Sequence, residues 1–390
     1  MTAAQPLRVA MIGTGFMGAA HSQAWRVAPR FFDLPLAPEM SVIVGRDAAR
    51  TQAAAEKLGW AEASADWRDV VARDGIDLVD ICSPGDSHAG IAIAALTAGK
   101  HVLCEKPLAN TVEEARQMAE AARAAAKRGV RSMVGFSYRR VPALSFARQL
   151  VRSGRIGEVR QTRAAYLQDW LVDENGPMTW RLDKKLAGSG SLGDIGAHAV
   201  DAVQFITGQT VEHVSGYLRT FVAERPLLGE TIGLSGTASS ERGRVTVDDA
   251  AWFTGLLSSD AVGSFEATRY AAGRKNGLKV EIFGSRGSLV FDLEKMNELE
   301  FYDGADAAGD QGFRRIFVTE PEHPYAAAWW PTGHGLGYEH PFSHQVRDLV
   351  FDIAEGRQPE PSFDDGLQVQ QVLDAVERSA ASNGIWTSIA

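Results

Sequence analysis

Short apolar runs alternate with helix-periodic segments along the first third of the chain. Arg8–Ile12, Ser41–Val44, Leu78–Ser83, His101–Cys104 and Arg131–Phe136 read as strands. Phe16–Val27, Ala48–Leu58, Ser87–Ala98 and Val112–Arg128 read as helices between them. Gly59 and Gly99 stand just past two of these helices, where a left-handed residue closes the last turn. Leu78–Ser83 barely alternates in polarity, the mark of a strand covered on both faces. Strands that alternate with helices predict an α/β unit, a parallel sheet between helical layers.

The rhythm changes near Tyr138. A helix over Pro142–Ser153 leads into runs that alternate with period two: Arg160–Tyr166, Val211–Thr220, Ala250–Leu256, Gly263–Thr268, Lys279–Phe283 and Ser288–Asp292. Gly punctuates them and few helices intervene, which predicts a mostly antiparallel sheet. Helices over Phe342–Glu355 and Gly366–Ala380 close the chain. A length of 390 residues also exceeds what one core serves well. The expected organisation is a dinucleotide-type α/β domain over 1–137 and an α+β substrate domain over 138–390.

Charge and composition narrow the partners. The net charge is −9, from 49 acidic and 40 basic residues. Such a surface repels phosphate backbones and anionic lipid, so neither nucleic acid nor membrane is expected as a partner. Cys82 and Cys104 cannot form a disulfide framework and lack metal-ligand spacing, so no metal is expected. Met1–Arg8 carries no signal-peptide apolar region, and a cytoplasmic location is expected.

Gly13-Thr14-Gly15-Phe16-Met17-Gly18 joins the first strand to the first helix. The first Gly permits the tight turn, the second lets backbone approach a pyrophosphate, and the third lets helix and strand pack closely. Free N–H groups and the helix dipole then face the anion. Strand, turn and helix in this order predict dinucleotide binding. The second strand ends Val44-Gly45-Arg46-Asp47, without the acid that usually holds the ribose 2′-hydroxyl. A guanidinium at Arg46 can pair with a 2′-phosphate, which favours NADP slightly over NAD. Asp47 as a ribose contact and Arg46 as a solvated side chain remain alternatives.

Glu105-Lys106-Pro107 follows a core strand, and ligands of such sheets bind beyond the carboxyl ends of strands. Lys106 there can stabilise a developing alkoxide. Farther on, Gly188–Gly196 leads into a helix on which Asp194 and His198 stand four residues apart, one face of a helix. A His beside a carboxylate suits general base work near neutral pH. Taken alone, each has a bland alternative: a surface lysine, a capping Asp, a core His.

Together, the Gly13 turn, Ser83-Pro84, the run Ala98–Pro107 and the Gly-rich segment ending in Asp194 and His198 resemble the Gfo/Idh/MocA oxidoreductases, over essentially the whole chain. Tyr166–Trp170, Thr179–Arg181, Glu266–Arg269 and Gly335–Tyr338 resemble, within that family, the levoglucosan dehydrogenase-type sugar dehydrogenases. The resemblance implies a Rossmann domain plus a domain with an open-faced sheet, catalysis by Lys106, Asp194 and His198, and a cis Lys106–Pro107 peptide. It also implies a homodimer or homotetramer through the open sheet face. Cofactor contacts are expected from Gly13, Thr14, Gly15, Phe16, Met17, Gly18, Arg46, Ser83, Pro84, His88, Glu105 and Lys106. Where the family often carries Asn after the Pro84 position, this chain has Gly85, which puts that contact near the nicotinamide ribose in question.

Sugar sites pair flat apolar faces with hydroxyl-matching polar groups. Tyr138, Tyr166, Gln168, Asp169, Trp180 and Arg181, with Asp194 and His198, supply that mixture. The expected activity is NAD(P)-dependent oxidation of a secondary hydroxyl of a sugar, anhydrosugar or cyclitol. Two alternatives share the fold: an NAD-dependent glycosidase working through transient oxidation, and a cofactor-binding regulator. The latter fits poorly with three catalytic candidates in one chain.

Overall fold

The structure is a computed structural model that describes residues 5–232 and 235–389, so the first four residues of the expected N-terminal domain lie outside it. The chain divides into two compact units. The first runs to Ser137 and takes in Tyr338–Leu367; the second comprises Tyr138–Gly337 and the chain from Gln368 onward.

In the first unit the elements are β1 (Gln5–Ile12), α1 (Phe16–Phe31), β2 (Leu36–Val44), α2 (Ala48–Leu58), β3 (Glu62–Ser64), α3 (Trp67–Ala72), β4 (Leu78–Ile81), α4 (His88–Thr97), β5 (His101–Cys104), α5 (Val112–Ala126) and β6 (Ser132–Val134). All six strands are parallel, in the order β3-β2-β1-β4-β5-β6. That is the doubly wound Rossmann sheet, and every residue of β4 is buried, the apolar Leu78, Val79 and Ile81 as well as Asp80, whose carboxylate is met by His21 and Trp25. Asp47 caps α2 by accepting from the Arg50 N–H at 2.9 Å, and Thr111 with Glu114 forms a capping box on α5.

A cut after residue 137 assigns 338–367 to the second domain, but that segment packs with the first. The helix His340–Ala354 puts Phe342, Val346, Leu349 and Val350 on one face, and these join Leu7, Met11, Trp25, Ile43 and Leu103 in a single core. Burial of that stripe is what draws the helix back to the N-terminal sheet.

The second unit holds α6 (Pro142–Arg152), β7 (Val159–Leu167), α7 (Lys184–Ala187), α8 (Ala197–Thr207), β8 (Val211–Arg219), β9 (Glu224–Ile232), β10 (Ser235–Arg244), β11 (Ala250–Leu257), β12 (Val262–Thr268), β13 (Gly277–Gly284), β14 (Gly287–Asp292), β15 (Glu298–Asp303), β16 (Arg314–Phe317) and β17 (Thr387–Ser388). Nine of the strands form one sheet in the order β16-β15-β14-β13-β7-β12-β11-β8-β17, while β9 and β10 pair as a separate hairpin. The large sheet is antiparallel except where β7 and β12 run parallel. One face is covered by α6 and α8. On the other, Tyr217 and Trp252 sit opposite one another on β8 and β11, both exposed. The α/β-plus-open-sheet architecture is thus the one the sequence predicts. Among the described residues no helix is long and apolar enough to cross a membrane.

Candidate active site

In the first unit the turn after β1 shows three different demands for glycine. Gly13 has a φ of +122°, and a Cβ there would lie 2.6 Å from the backbone of Cys82. A Cβ on Gly18 would meet the Gly13 carbonyl oxygen at 2.1 Å, so helix and strand close together only without side chains. Gly15 differs: nothing lies within 4 Å of its would-be Cβ. That open space fronts the first turn of α1, whose N–H groups have no earlier partners in the helix. The residues present therefore fit a dinucleotide pyrophosphate.

Thr14 and Gly45 pack against each other; a Cβ at 45 would sit 3.0 Å from Thr14 Cγ2 and 2.5 Å from Thr51 Oγ1. An acidic side chain has no room at that position as the chain stands. Arg46 is exposed, and Asp47 is committed to the cap of α2. Phe16 is exposed and stacks on Tyr338 with ring centroids 6.0 Å apart, whereas Met17 turns to the core.

Beyond β4, Ser83 and Ser87 share a hydrogen bond of 2.6 Å across Pro84. Gly85 leaves room for Asn110: its would-be Cβ lies 2.4 Å from Asn110 Oδ1. The carboxamide of Asn110 thus fills the space a side chain at 85 would take, a compensation invisible in linear sequence. His88 is buried, with Nε2 2.9 Å from the Ser83 carbonyl and Nδ1 3.1 Å from that of Pro107. Its ring ties the Ser83 turn to the loop after β5. In that loop the Lys106–Pro107 peptide is cis. Glu105 is buried, and Lys106 is half-buried at the carboxyl end of β5.

Beneath these loops lies a buried cluster. His21 Nδ1 is 3.0 Å from both Asp80 carboxylate oxygens and its Nε2 is 3.1 Å from Glu105 Oε1. Burial opposes charge on this ring, but the Asp80 carboxylate overrides it and holds the His21 pKa well above the usual range. His21, Asp80 and Cys82 stand close enough together to hold a metal ion. Against that use, Trp25 Nε1 and His21 already engage Asp80, and burial pushes the Cys82 thiol up, away from the thiolate a metal needs.

In the second unit the Gly-rich segment wraps round Asp248. That carboxylate accepts from Gly190 N at 2.7 Å, Leu192 N at 2.8 Å and Ser191 Oγ at 2.8 Å. A Cβ on Gly190 would fall 1.8 Å from the Asp248 carbonyl oxygen, which makes glycine obligatory there. The expected plain helix at Asp194 instead begins with a π-helical turn, Leu192–Gly196, that runs into α8. Asp194 sits in the π turn and His198 in the first turn of α8, and π turns recur at functional sites.

His198 is 8% exposed and lies between two phenols, 4.6 Å from the Tyr138 ring and 5.9 Å from that of Tyr166. A hydrogen-bonded row extends from there. The Tyr138 and Tyr166 hydroxyls are 2.9 Å apart, and the latter donates to Asn276 Oδ1 at 2.6 Å. Gln168 Nε2 donates to the same oxygen at 2.9 Å, and Trp170 Nε1 donates to Gln168 Oε1 at 3.0 Å. Strand order explains the gathering. Tyr166 and Gln168 lie at the end of β7, Asn276 precedes β13, Arg269 follows β12, and these three strands are neighbours. Because β7 and β12 are parallel, their carboxyl ends reach the same edge.

Of the substrate candidates, Tyr138, Tyr166 and Gln168 thus join His198 in one constellation. Asp169 turns to Lys275 Nζ at 2.6 Å, whose hydrogen bond lowers the carboxyl pKa. Trp180 and Arg181 form a stacked pair of their own, 4.4 Å apart. Behind Asp194 stands Arg269, fully buried, with Nη1 3.6 Å from Asp194 Oδ2. Farther along α8, Arg139 grips Asp201 through Nε at 3.0 Å and Nη2 at 2.6 Å. Asn276 and Arg269 are the site residues that sequence reasoning missed. Nothing in their spacing marks them, although Arg269 stands in one of the stretches that carried the resemblance.

The fold and the turn define a Rossmann-type, NAD-binding oxidoreductase. Residues 7–136 match the family described as oxidoreductase family, NAD-binding Rossmann fold, and residues 145–290 match the GFO/IDH/MocA C-terminal domain. The chain belongs to the Gfo/Idh/MocA oxidoreductases. It is 40% identical over 390 residues to levoglucosan dehydrogenase of Pseudarthrobacter phenanthrenivorans, covering 99% of this chain and 98% of that one. A solved oxidoreductase domain protein from Kribbella flavida superposes with a TM-score of 0.95 at 61% identity, covering 99% of this chain and 100% of that one. A solved levoglucosan dehydrogenase in complex with NADH and levoglucosan gives 0.92 at 40% identity, covering 99% and 100%.

Proposed function

We propose that the chain oxidises a secondary hydroxyl of a sugar, anhydrosugar or cyclitol. The observation that carries this reading is the row Tyr138–Tyr166–Asn276–Gln168 beside His198, a line of groups that both donate to and accept from hydroxyls. The likeness to levoglucosan dehydrogenase over nearly the whole chain supports a sugar as substrate.

In this reading His198 takes the hydroxyl proton as general base. Asp194 accepts from a second hydroxyl and fixes which carbon presents its hydrogen. Lys106 donates to the reacting oxygen and stabilises its alkoxide character. Gly13–Gly18, Arg46, Ser83 and Pro84 would hold the dinucleotide, with His88 and Glu105 setting the loops around it. When bound, the dinucleotide supplies the nicotinamide that receives hydride. For the outer ribose the supports diverge: Gly45 and Arg46 favour a 2′-phosphate, whereas solved relatives hold NADH. The exposed Tyr217–Trp252 face supports self-association as a homodimer or homotetramer, which light scattering during gel filtration tests.

The test is a panel of levoglucosan, D-glucose, methyl glucosides and myo-inositol, assayed with NAD and NADP separately. Nicotinamide reduction is expected with at least one sugar and a loss of roughly 100-fold or more in Lys106→Ala (about 2.7 kcal/mol) with NADH affinity retained. Undiminished oxidation by Lys106→Ala would sink the role given to that lysine. Activity with NAD alone would remove the argument from Arg46.

A further inference from the structure

We propose that His21 is a positioning residue for Lys106, a buried strut between the phosphate-binding helix and the loop that carries the lysine. The inference rests on the proposed function, in which Lys106 acts on the substrate oxygen. His21 lies on α1, within the helix that opens at the phosphate turn, and is 1% exposed. Its two ring nitrogens face carboxylates on two different strands, Asp80 within β4 and Glu105 just past β5. Carboxylates only accept, so both ring nitrogens serve as donors and the ring is an imidazolium.

The strut continues to the lysine. The second Glu105 oxygen accepts from the Lys106 backbone N–H at 3.3 Å. Gly135 lets Glu105 sit there, because a Cβ at 135 would come within 2.4 Å of Glu105 Oε1. At the other end, Trp25 Nε1 donates to Asp80 Oδ2 at 2.7 Å, and the Phe342 ring lies 5.4 Å from the imidazole. Three pieces of backbone that surround the sheet's carboxyl edge are therefore joined through one ring: the helix behind the phosphate turn, the end of β4 and the first residue of the Lys106 loop. A core of plain hydrophobes would serve stability as well as two buried carboxylates and an imidazolium, or better. What the charged arrangement adds is direction, since it fixes Glu105, and with it Lys106, relative to α1.

A structural role alone predicts general destabilisation; a positioning role predicts loss that passes through Lys106. The experiment is a double-variant cycle with levoglucosan, or the sugar the panel identifies, and its dinucleotide. His21→Gln is expected to bind NADH within about threefold of the parent, to keep the sugar KM within about threefold, and to lose roughly tenfold or more in kcat (about 1.4 kcal/mol). In a Lys106→Met background the same change is expected to cost less than about threefold, because the group it positions is gone. Glu105→Gln, which weakens the strut from its other end, should show the same pattern and covers the case in which His21→Gln does not fold. Unchanged kcat in folded His21→Gln, or the same fold loss in both backgrounds, overturns the inference. A normal rate in Lys106→Met alone overturns the underlying reading instead, so the two failures are told apart.

Discussion

Nη1 of Arg269 lies 3.6 Å from Oδ2 of Asp194, a guanidinium with no exposed surface behind a carboxylate that keeps 29% of its own. The same guanidinium sits 5.3 Å from the Trp170 ring and donates through Nη2 to the Asp248 carbonyl at 3.2 Å. Among the described residues, its Nε and Nη1 have no acceptor within hydrogen-bond distance. Arg269 thus holds a charge against the wall of the constellation while staying out of reach of solvent. Replacing it with Met should remove this charge from behind Asp194 and lower kcat/KM roughly tenfold or more, about 1.4 kcal/mol. Arg269→Lys should recover part of that, keeping charge but losing the planar fork. Steady-state kinetics with the preferred sugar checks both, alongside melting curves that confirm folding.

The three glycines of the phosphate turn should separate stability from binding. Gly18→Ala drives a methyl into the Gly13 carbonyl, and Gly13→Ala drives one into Cys82 while straining a positive φ. Both should destabilise by roughly 2 kcal/mol or more, since backbone is what must move. Gly15→Ala has open space around the new methyl, so melting should barely change while NADH affinity falls about tenfold or more. Fluorescence titration with NADH beside thermal melts distinguishes the two classes. The reverse pattern, with Gly15→Ala unstable and Gly18→Ala untroubled, would mean that the turn is packed differently.

Two histidines should give the first unit opposite pH limbs. His101 accepts the Arg131 N–H at Nδ1, and burial, helped by the Arg131 charge, pushes its pKa down to about 4. The unfolded chain then takes a proton below about 6.5 that the folded chain refuses. Stability from His101 is therefore lost as pH falls from about 6.5 towards that folded value. His21 runs the other way: facing Asp80, Glu105 and Cys82, it keeps its proton when folded. Its contribution is complete below about 6.5 and is lost as pH rises above that, at most about 1.4 kcal/mol per pH unit. Melting midpoints between about pH 4.5 and 9 should show His101→Asn flattening the acid limb and His21→Gln flattening the alkaline one.

The parts of the molecule legible in the sequence are those set by local pattern. Leu78–Ile81 and His101–Cys104 declare themselves as core strands because burial on both faces leaves no polar alternation to confuse them. Helix ends at Gly59 and Gly99 follow from their positive φ. What escaped is set by partners distant in sequence. The hairpin of β9 and β10 is rich in Gly, Ser and Thr and shows no apolar alternation. The helix His340–Ala354 carries an ordinary amphipathic stripe, and nothing in the stripe says which sheet it covers. Arg269 and Gln168 stand far apart in the chain, and only the parallel pairing of β7 with β12 makes them neighbours. Asn110 over Gly85 is of the same kind.

The π turn at Leu192–Gly196 is in effect one extra residue in an otherwise regular helix. Deleting Ile195 would let the backbone relax into continuous α-helix with its hydrogen bonds intact. Asp194 and His198 would then stand three residues apart on a continuous α-helix, about 300° of helical rotation, in place of four residues across the π turn. Asp194 lies before the cut and His198 after it, so their mutual bearing depends on how many residues separate them as well as on which residues they are. A shortened chain would keep its helix and still present its carboxylate on a different bearing from the imidazole. In this segment the count of residues is itself part of the chemistry.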